Sequence, residues 1–212
     1  IIDISQTLSK NLPVWPGDTP FSVDAQWEIG PTSPVLVSRL ILSTHSGTHA
    51  DAPSHYDPSG LHIADTDLLP YLGSCHVVHE TEDENIVSTE KVLSALKKLG
   101  GTPKRVLIRT FNTFPHTHWP TPFKSIDAAL IDALAEEGCL LIGTDTPSLD
   151  PETSKTMEAH LAIKKAGMAI LEGLVLDHVP AGHYELIALP LKIENADASP
   201  VRAVLRSIKN DI

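Results

Sequence analysis

An α/β fold, built as one domain with a mixed β-sheet and flanking helices, is predicted by two observations. From residue 88 onward, runs with helical period alternate with short runs rich in Val, Ile and Leu. Before residue 88, strand-type runs follow one another with no helix between them, so part of the sheet should be antiparallel or mixed.

The strand-type runs cover residues 1–8, 22–29, 35–44, 74–80, 105–109, 140–144, 168–176 and 184–189. The helical runs cover residues 88–99, 126–137 and 155–166. In the first of these, Val92, Leu93, Leu96 and Leu99 recur at helical spacing, with Ser88 as N-cap and Gly100-Gly101 as stop. Ser125 and Gly138 bracket the second helix, and Gly167 stops the third. Prolines number 17, and clusters such as Trp15-Pro-Gly-Asp-Thr-Pro20 mark loops, because proline fixes φ and cannot donate to a ladder. No linker, charge block or internal repeat interrupts the chain, so residues 1–212 read as a single domain.

The composition excludes several classes. A net charge of −11 repels phosphate backbones and argues against nucleic-acid binding. No apolar run approaches the roughly 20 residues that span a bilayer. No basic-then-apolar leader opens the chain, and Ile1-Ile-Asp-Ile already reads as a strand; the expectation is a cytoplasmic protein lacking a few starting residues. Cys75 and Cys139 sit in apolar company and read as small buried residues rather than a disulfide or metal ligands.

The chemistry should lie with the eleven histidines, several of which cluster with carboxylates. His45, His49, Asp51 and His55 share parity, which puts them on one face of an extended chain. Gly47 and Pro53 argue against a helix, so the cluster belongs where the run 35–44 passes into a loop. A straight strand would set the α-carbons of His45 and His49 about 13 Å apart, near the limit for sharing one ion, and would leave Asp51 out of reach. The chain must therefore bend, and Gly47 permits it. Two imidazoles and a carboxylate form a common shell for Zn²⁺ or another borderline divalent ion, with net positive charge left for an open catalytic position. Residue type alone leaves His55 as either a ligand or a proton carrier.

Glu172 stands in the apolar run Met168-Ala-Ile-Leu-Glu-Gly-Leu-Val-Leu. A buried carboxylate there needs a cation, a Lys or Arg partner, or an exposed edge. His160, in Thr-Met-Glu-Ala-His-Leu, is either a ligand or a helix-surface residue. Trp15 is either a loop-packing residue or an aromatic anchor for a flat ligand. Asp145, after the run 140–144, is a further binding candidate with its role open. His62, His76, His79, His116, His118, His178 and His183 read as structural or surface residues.

The segment His45-Ser-Gly-Thr-His49-Ala-Asp51-Ala-Pro-Ser-His55 resembles the hallmark of the metal-dependent cyclase-like hydrolases, and Trp15-Pro-Gly-Asp-Thr-Pro-Phe21 resembles their bacterial kynurenine formamidase branch. Gly143-Thr-Asp-Thr-Pro-Ser148, His160 and Glu172-Gly173 fall where that family has similar elements, so the likeness covers nearly the whole chain. It implies two divalent ions per subunit, usually zinc, in a homodimer. By that likeness His45, His49 and Asp51 hold the first ion. Asp51 bridges to a second held by His160, and Glu172 completes the pair. His55 then transfers protons and Trp15 lines the substrate pocket. The implied reaction is hydrolysis of N-formyl-L-kynurenine to L-kynurenine and formate, a step of tryptophan catabolism. A cyclic-amide hydrolase of the same family, such as an isatin ring opener, and a non-catalytic metal- or ligand-binding module are the alternatives.

Overall fold

The alternation after residue 88 produces the middle of the sheet. A computed structural model describes residues 1–82 and 84–208. Its strands are β1 (Ile2–Asp3), β2 (Ser22–Trp27), β3 (Val37–Ile41), β4 (His49–Asp51), β5 (Leu72–His79), β6 (Ile86–Val87), β7 (Arg105–Arg109), β8 (Ser125–Ile126), β9 (Leu141–Thr144), β10 (Ala169–Glu172), β11 (Gly182–Ile187), β12 (Ala198–Pro200) and β13 (Val204–Ser207). The helices are α1 (Thr89–Lys98), α2 (Ala128–Glu136) and α3 (Glu158–Ala166).

Nine strands form one sheet in the order β1-β13-β11-β5-β7-β9-β10-β4-β12. Strands β5, β7, β9 and β10 run parallel, and the strands outside them pair antiparallel. The sheet is mixed, as expected. Alternate residues feed opposite faces: Leu107 and Leu171 join one buried cluster with Ile4, Tyr71 and Leu186. Val106, Ile108 and Ile170 join the other, where Leu96, Leu130 and Ile163 bring in all three helices. A fully buried leucine such as Leu96 contributes about 2 kcal/mol of transfer free energy.

Several boundaries differ from expectation, each for a local reason. The run 1–8 gives only the two-residue β1, and the run 168–176 ends as a strand at Glu172 because Gly173 turns with φ +64°. The runs 22–29 and 35–44 form a separate hairpin, β2–β3, outside the large sheet. The chain leaves β3 at Ile41, turns with Gly47 at φ +66°, and inserts His49–Asp51 between β10 and β12. Ser125 is not the cap of α2: it pairs in β8, and the Asp127 side chain accepts the Ala129 amide at 3.0 Å. Helix α3 starts at Glu158, not residue 155, because Met157 holds φ at 53°. Short strands β6, β12 and β13 carry too few residues to show a period and went unpredicted. Both cysteines are free and buried.

Candidate metal centre

Strand β4 brings the motif into the sheet, and β10 supplies its antiparallel partner. The register sets Glu172 opposite His49, and Ile170 opposite Asp51. Close approach of two backbones fixes this pairing: a Cβ on Gly173 would lie 2.6 Å from the Gly47 carbonyl oxygen. The Thr48 hydroxyl donates to the Gly173 carbonyl at 2.6 Å, and the Gln6 amide side chain donates to the same oxygen at 2.9 Å. The bend at Gly47 thus becomes a clamp that holds His45 and His49 over the end of β10.

The polar atoms gathered here do not satisfy one another. His49 Nε2 lies 3.4 Å from Asp51 Oδ1 and 3.4 Å from Glu172 Oε2. His45 Nδ1 lies 3.1 Å from Asp51 Oδ1. His160 Nε2 lies 3.5 Å from Asp51 Oδ2 and 3.6 Å from Glu172 Oε1. Yet His49 Nε2 and both Asp51 oxygens are buried without an aligned hydrogen bond. Two atoms bound about 2.0–2.1 Å from one tetrahedral cation stand about 3.3 Å apart, which matches these spacings. Buried acceptors that face each other across such a gap fit a cation better than they fit each other.

Three overlapping groups offer ligand atoms within 4.8 Å of one another among the described residues: His45, His49 and Asp51; Asp51, His55 and His160; and His45, His55 and Asp197. Asp51 turns Oδ1 to His45 and His49 and Oδ2 to His160. Glu172 turns Oε2 to His49 and Oε1 to His160, with Oε1 also accepting the Leu149 amide at 2.9 Å.

A second layer aims the rings. His49 Nδ1 donates to the Gly47 carbonyl at 3.0 Å, which leaves Nε2 as the inward acceptor. Asp150 Oδ2 lies 2.6 Å from His160 Nδ1, and its two oxygens also accept the Ala159 and His160 amides at the start of α3. Asp197 Oδ2 lies 3.1 Å from His45 Nε2 and 3.4 Å from His55 Nδ1, while Oδ1 accepts the Thr44 hydroxyl at 2.9 Å. Asp150 and Asp197 escaped sequence reasoning. Asp150 stands ten residues before His160 with no recurring spacing, and Asp197 sits in a polar stretch, Glu194-Asn-Ala-Asp197, that reads as surface.

Electrostatics agree with an excess of carboxylate. Burial works to lower the His49 pKa, but the contacts and charges of Asp51 and Glu172 outweigh it and raise it to about 10. Burial is likewise outweighed at His160, raised to about 10 by Asp150, Asp51 and Glu172. Asp51 is held well below the usual carboxylate range by its three imidazole neighbours despite its burial. Without a cation the site draws protons in its place.

Trp15 is 37% exposed and meets Trp119 edge-on, with ring centroids 5.5 Å apart. With His45, His55 and Glu172 it lines a cavity of about 480 Å³ that opens to solvent. A narrower cleft of about 50 Å³ continues past His49, Phe114, His118 and Trp119. His55 stands at the rim, its ring 4.3 Å from that of His45 and 5.9 Å from that of His160. Asp145 also lines the narrower cleft, but its carboxylate is taken up by the backbone and hydroxyl of a neighbouring loop. It is buried, and it accepts both the amide and hydroxyl of Thr110 and the amide of Phe111 at 2.7–3.0 Å, which ties the exit of β7 to the end of β9.

Residues 2–151 match the family model described as "Putative cyclase". A kynurenine formamidase from Maricaulis maris (strain MCS10) is 56% identical over 206 residues, 97% of each chain. Among solved structures, a predicted metal-dependent hydrolase from Bacillus stearothermophilus superposes with a TM-score of 0.79 at 25% identity, covering 96% of both chains. An isatin hydrolase bound to the product analogue thioisatinate superposes with a TM-score of 0.84 at 21% identity, covering 96% of this chain and 90% of that one, which is a likeness of fold.

Proposed function

The chain belongs to the Cyclase family, and from that premise we propose that it hydrolyses N-formyl-L-kynurenine to L-kynurenine and formate at a centre of two divalent cations, zinc by preference. The observation that carries this reading is the division of two carboxylates: Asp51 turns one oxygen towards His45 and His49 and the other towards His160, and Glu172 turns one towards His49 and the other towards His160. The formamidase relative, at 56% identity, supports the substrate.

Bound divalent cations supply Lewis acidity, which lowers the pKa of water towards about 7 and polarises a carbonyl. The chain's own residues do the rest. His45, His49, Asp51, His160 and Glu172 are the ligands. Trp15 faces the cavity and offers a flat wall to the aryl ring. In the reaction the formyl C–N bond breaks, a C–O bond to water forms, and a proton from water must reach the aryl nitrogen. His55 carries that proton: its Nδ1 faces Asp197, which leaves Nε2 as the exchanging atom.

The β2–β3 hairpin supports a homodimer. Val23, Trp27 and Leu40 on its strands and Leu36 beside them are each more than half exposed, with Val23 paired to Leu40, and exposed apolar side chains of this kind are what an interface covers. No helix among the described residues is long and apolar enough to cross a membrane. A step of tryptophan catabolism in the cytoplasm is the setting that suits a metabolic enzyme with free buried cysteines.

Formate release from N-formylkynurenine by the metal-loaded protein, run beside isatin, tests the reading. Preferred turnover of the formamide supports it. Preference for isatin, or no hydrolysis of any aryl formamide, overturns it.

A further inference from the structure

We propose that Glu152 receives the ammonium group of the substrate's amino-acid tail, so that the mouth of the site selects aryl formamides with a cationic tail. The proposal rests on the formamidase reading.

Glu152 lines the same 480 Å³ cavity as Trp15, His55 and Glu172. It is half-buried, and the Trp119 indole Nε1 donates to its Oε2 at 3.1 Å. Trp119 in turn stands edge-on against Trp15. The carboxylate is therefore fastened to the aromatic wall on which the aryl ring rests, rather than free to swing in solvent.

The charges around it favour one sign of ligand. Among the described residues, no Lys or Arg lines either the cavity or the inner cleft. Asp18 lines the mouth as a second carboxylate. An anionic tail meets no fixed positive side chain there, whereas an ammonium group meets an anchored carboxylate in a setting less screened than open water. In N-formyl-L-kynurenine the ammonium lies a short flexible chain away from the aryl ketone. With the ring against Trp15, the tail can reach the wall held by Trp119 while its own carboxylate stays in solvent.

Glu152→Gln removes the charge and keeps the side-chain volume and an oxygen for the Trp119 indole. The measurement is the ratio of kcat/KM for N-formyl-L-kynurenine to that for formanilide, which lacks a tail, in the wild-type and variant proteins loaded with zinc. The ratio should fall about tenfold in the variant, the size of one charge-assisted hydrogen bond, with the change in KM. Calorimetric binding of L-kynurenine should weaken to the same degree. Equal losses on both substrates, or no loss on either, would overturn the ammonium site while leaving the formamidase reading intact. No turnover of either formamide by the zinc-loaded wild type would overturn both.

Discussion

Asp150 holds His160 at both ends of one residue: its Oδ2 lies 2.6 Å from the ring Nδ1 and 3.1 Å from the backbone amide. That contact selects the tautomer whose Nε2 faces Asp51 and Glu172. Replacing Asp150 with Asn puts a weaker, uncharged acceptor behind the ring. Affinity for the cation at the His160 side should fall about 10–100-fold, as is usual when a ligand histidine loses its carboxylate. Competition with a chelating dye measures it, and unchanged affinity would remove Asp150 from the centre.

Asp197 acts on two rings at once, His45 and His55. Asp197→Ala should lower kcat about 10–100-fold, because His55 loses the partner that orients its proton-bearing ring. KM should change little, since Asp197 does not line the cavity. Steady-state kinetics on protein of verified metal content checks the split. A rise in KM with kcat intact would contradict it.

Gly173 touches the clamp itself. An added Cβ would stand 2.6 Å from the Gly47 oxygen and 2.7 Å from Gln6 Nε2, at a φ of +64° that side chains avoid. Gly173→Ala should cost about 2–4 kcal/mol through strain and overpacking. Denaturant unfolding of the metal-free protein measures the loss. The neighbouring Glu172 should shift with the backbone, so metal affinity should fall as well.

Burial pushes the Asp145 carboxyl up to about 6, in spite of the hydrogen bonds from Thr110 and Phe111. A folded pKa above the unfolded value of 3.8 stabilises the fold at low pH. That contribution is complete below the unfolded value and is lost as pH rises through about 6. At full extent it is worth about 3 kcal/mol. Between pH 7 and 5, the wild-type protein should therefore gain stability relative to Asp145→Asn, each measured metal-free so that the histidine centre cancels in the difference. A constant difference across that range would contradict the assignment.

The sheet and the centre were legible where burial leaves a pattern. Val106, Leu107 and Ile108 alternate faces within an apolar run, and α1 shows its stripe through Val92 and Leu96. His45, His49 and Asp51 were visible together because one bend at Gly47 gathers them from seven residues of chain. Glu172 was visible as a carboxylate in apolar company. The detached hairpin was not, because β2 and β3 have the same strand-type composition as the sheet strands and differ only in what covers them. Asp150, Asp197 and Trp119 were also hidden. Each reaches the site through loops whose course is set by tertiary packing, and a polar or aromatic residue in a loop has no periodicity to betray it.

Metal content of the wild-type, His49→Ala and His55→Ala proteins, by elemental analysis after zinc loading, tests the ligand set most directly. The arrangement of Asp51 and Glu172 predicts about two equivalents per chain in the wild type. It predicts loss of metal in His49→Ala, and retention in His55→Ala with most turnover gone. Full metal in His49→Ala, or metal lost from His55→Ala, would contradict it.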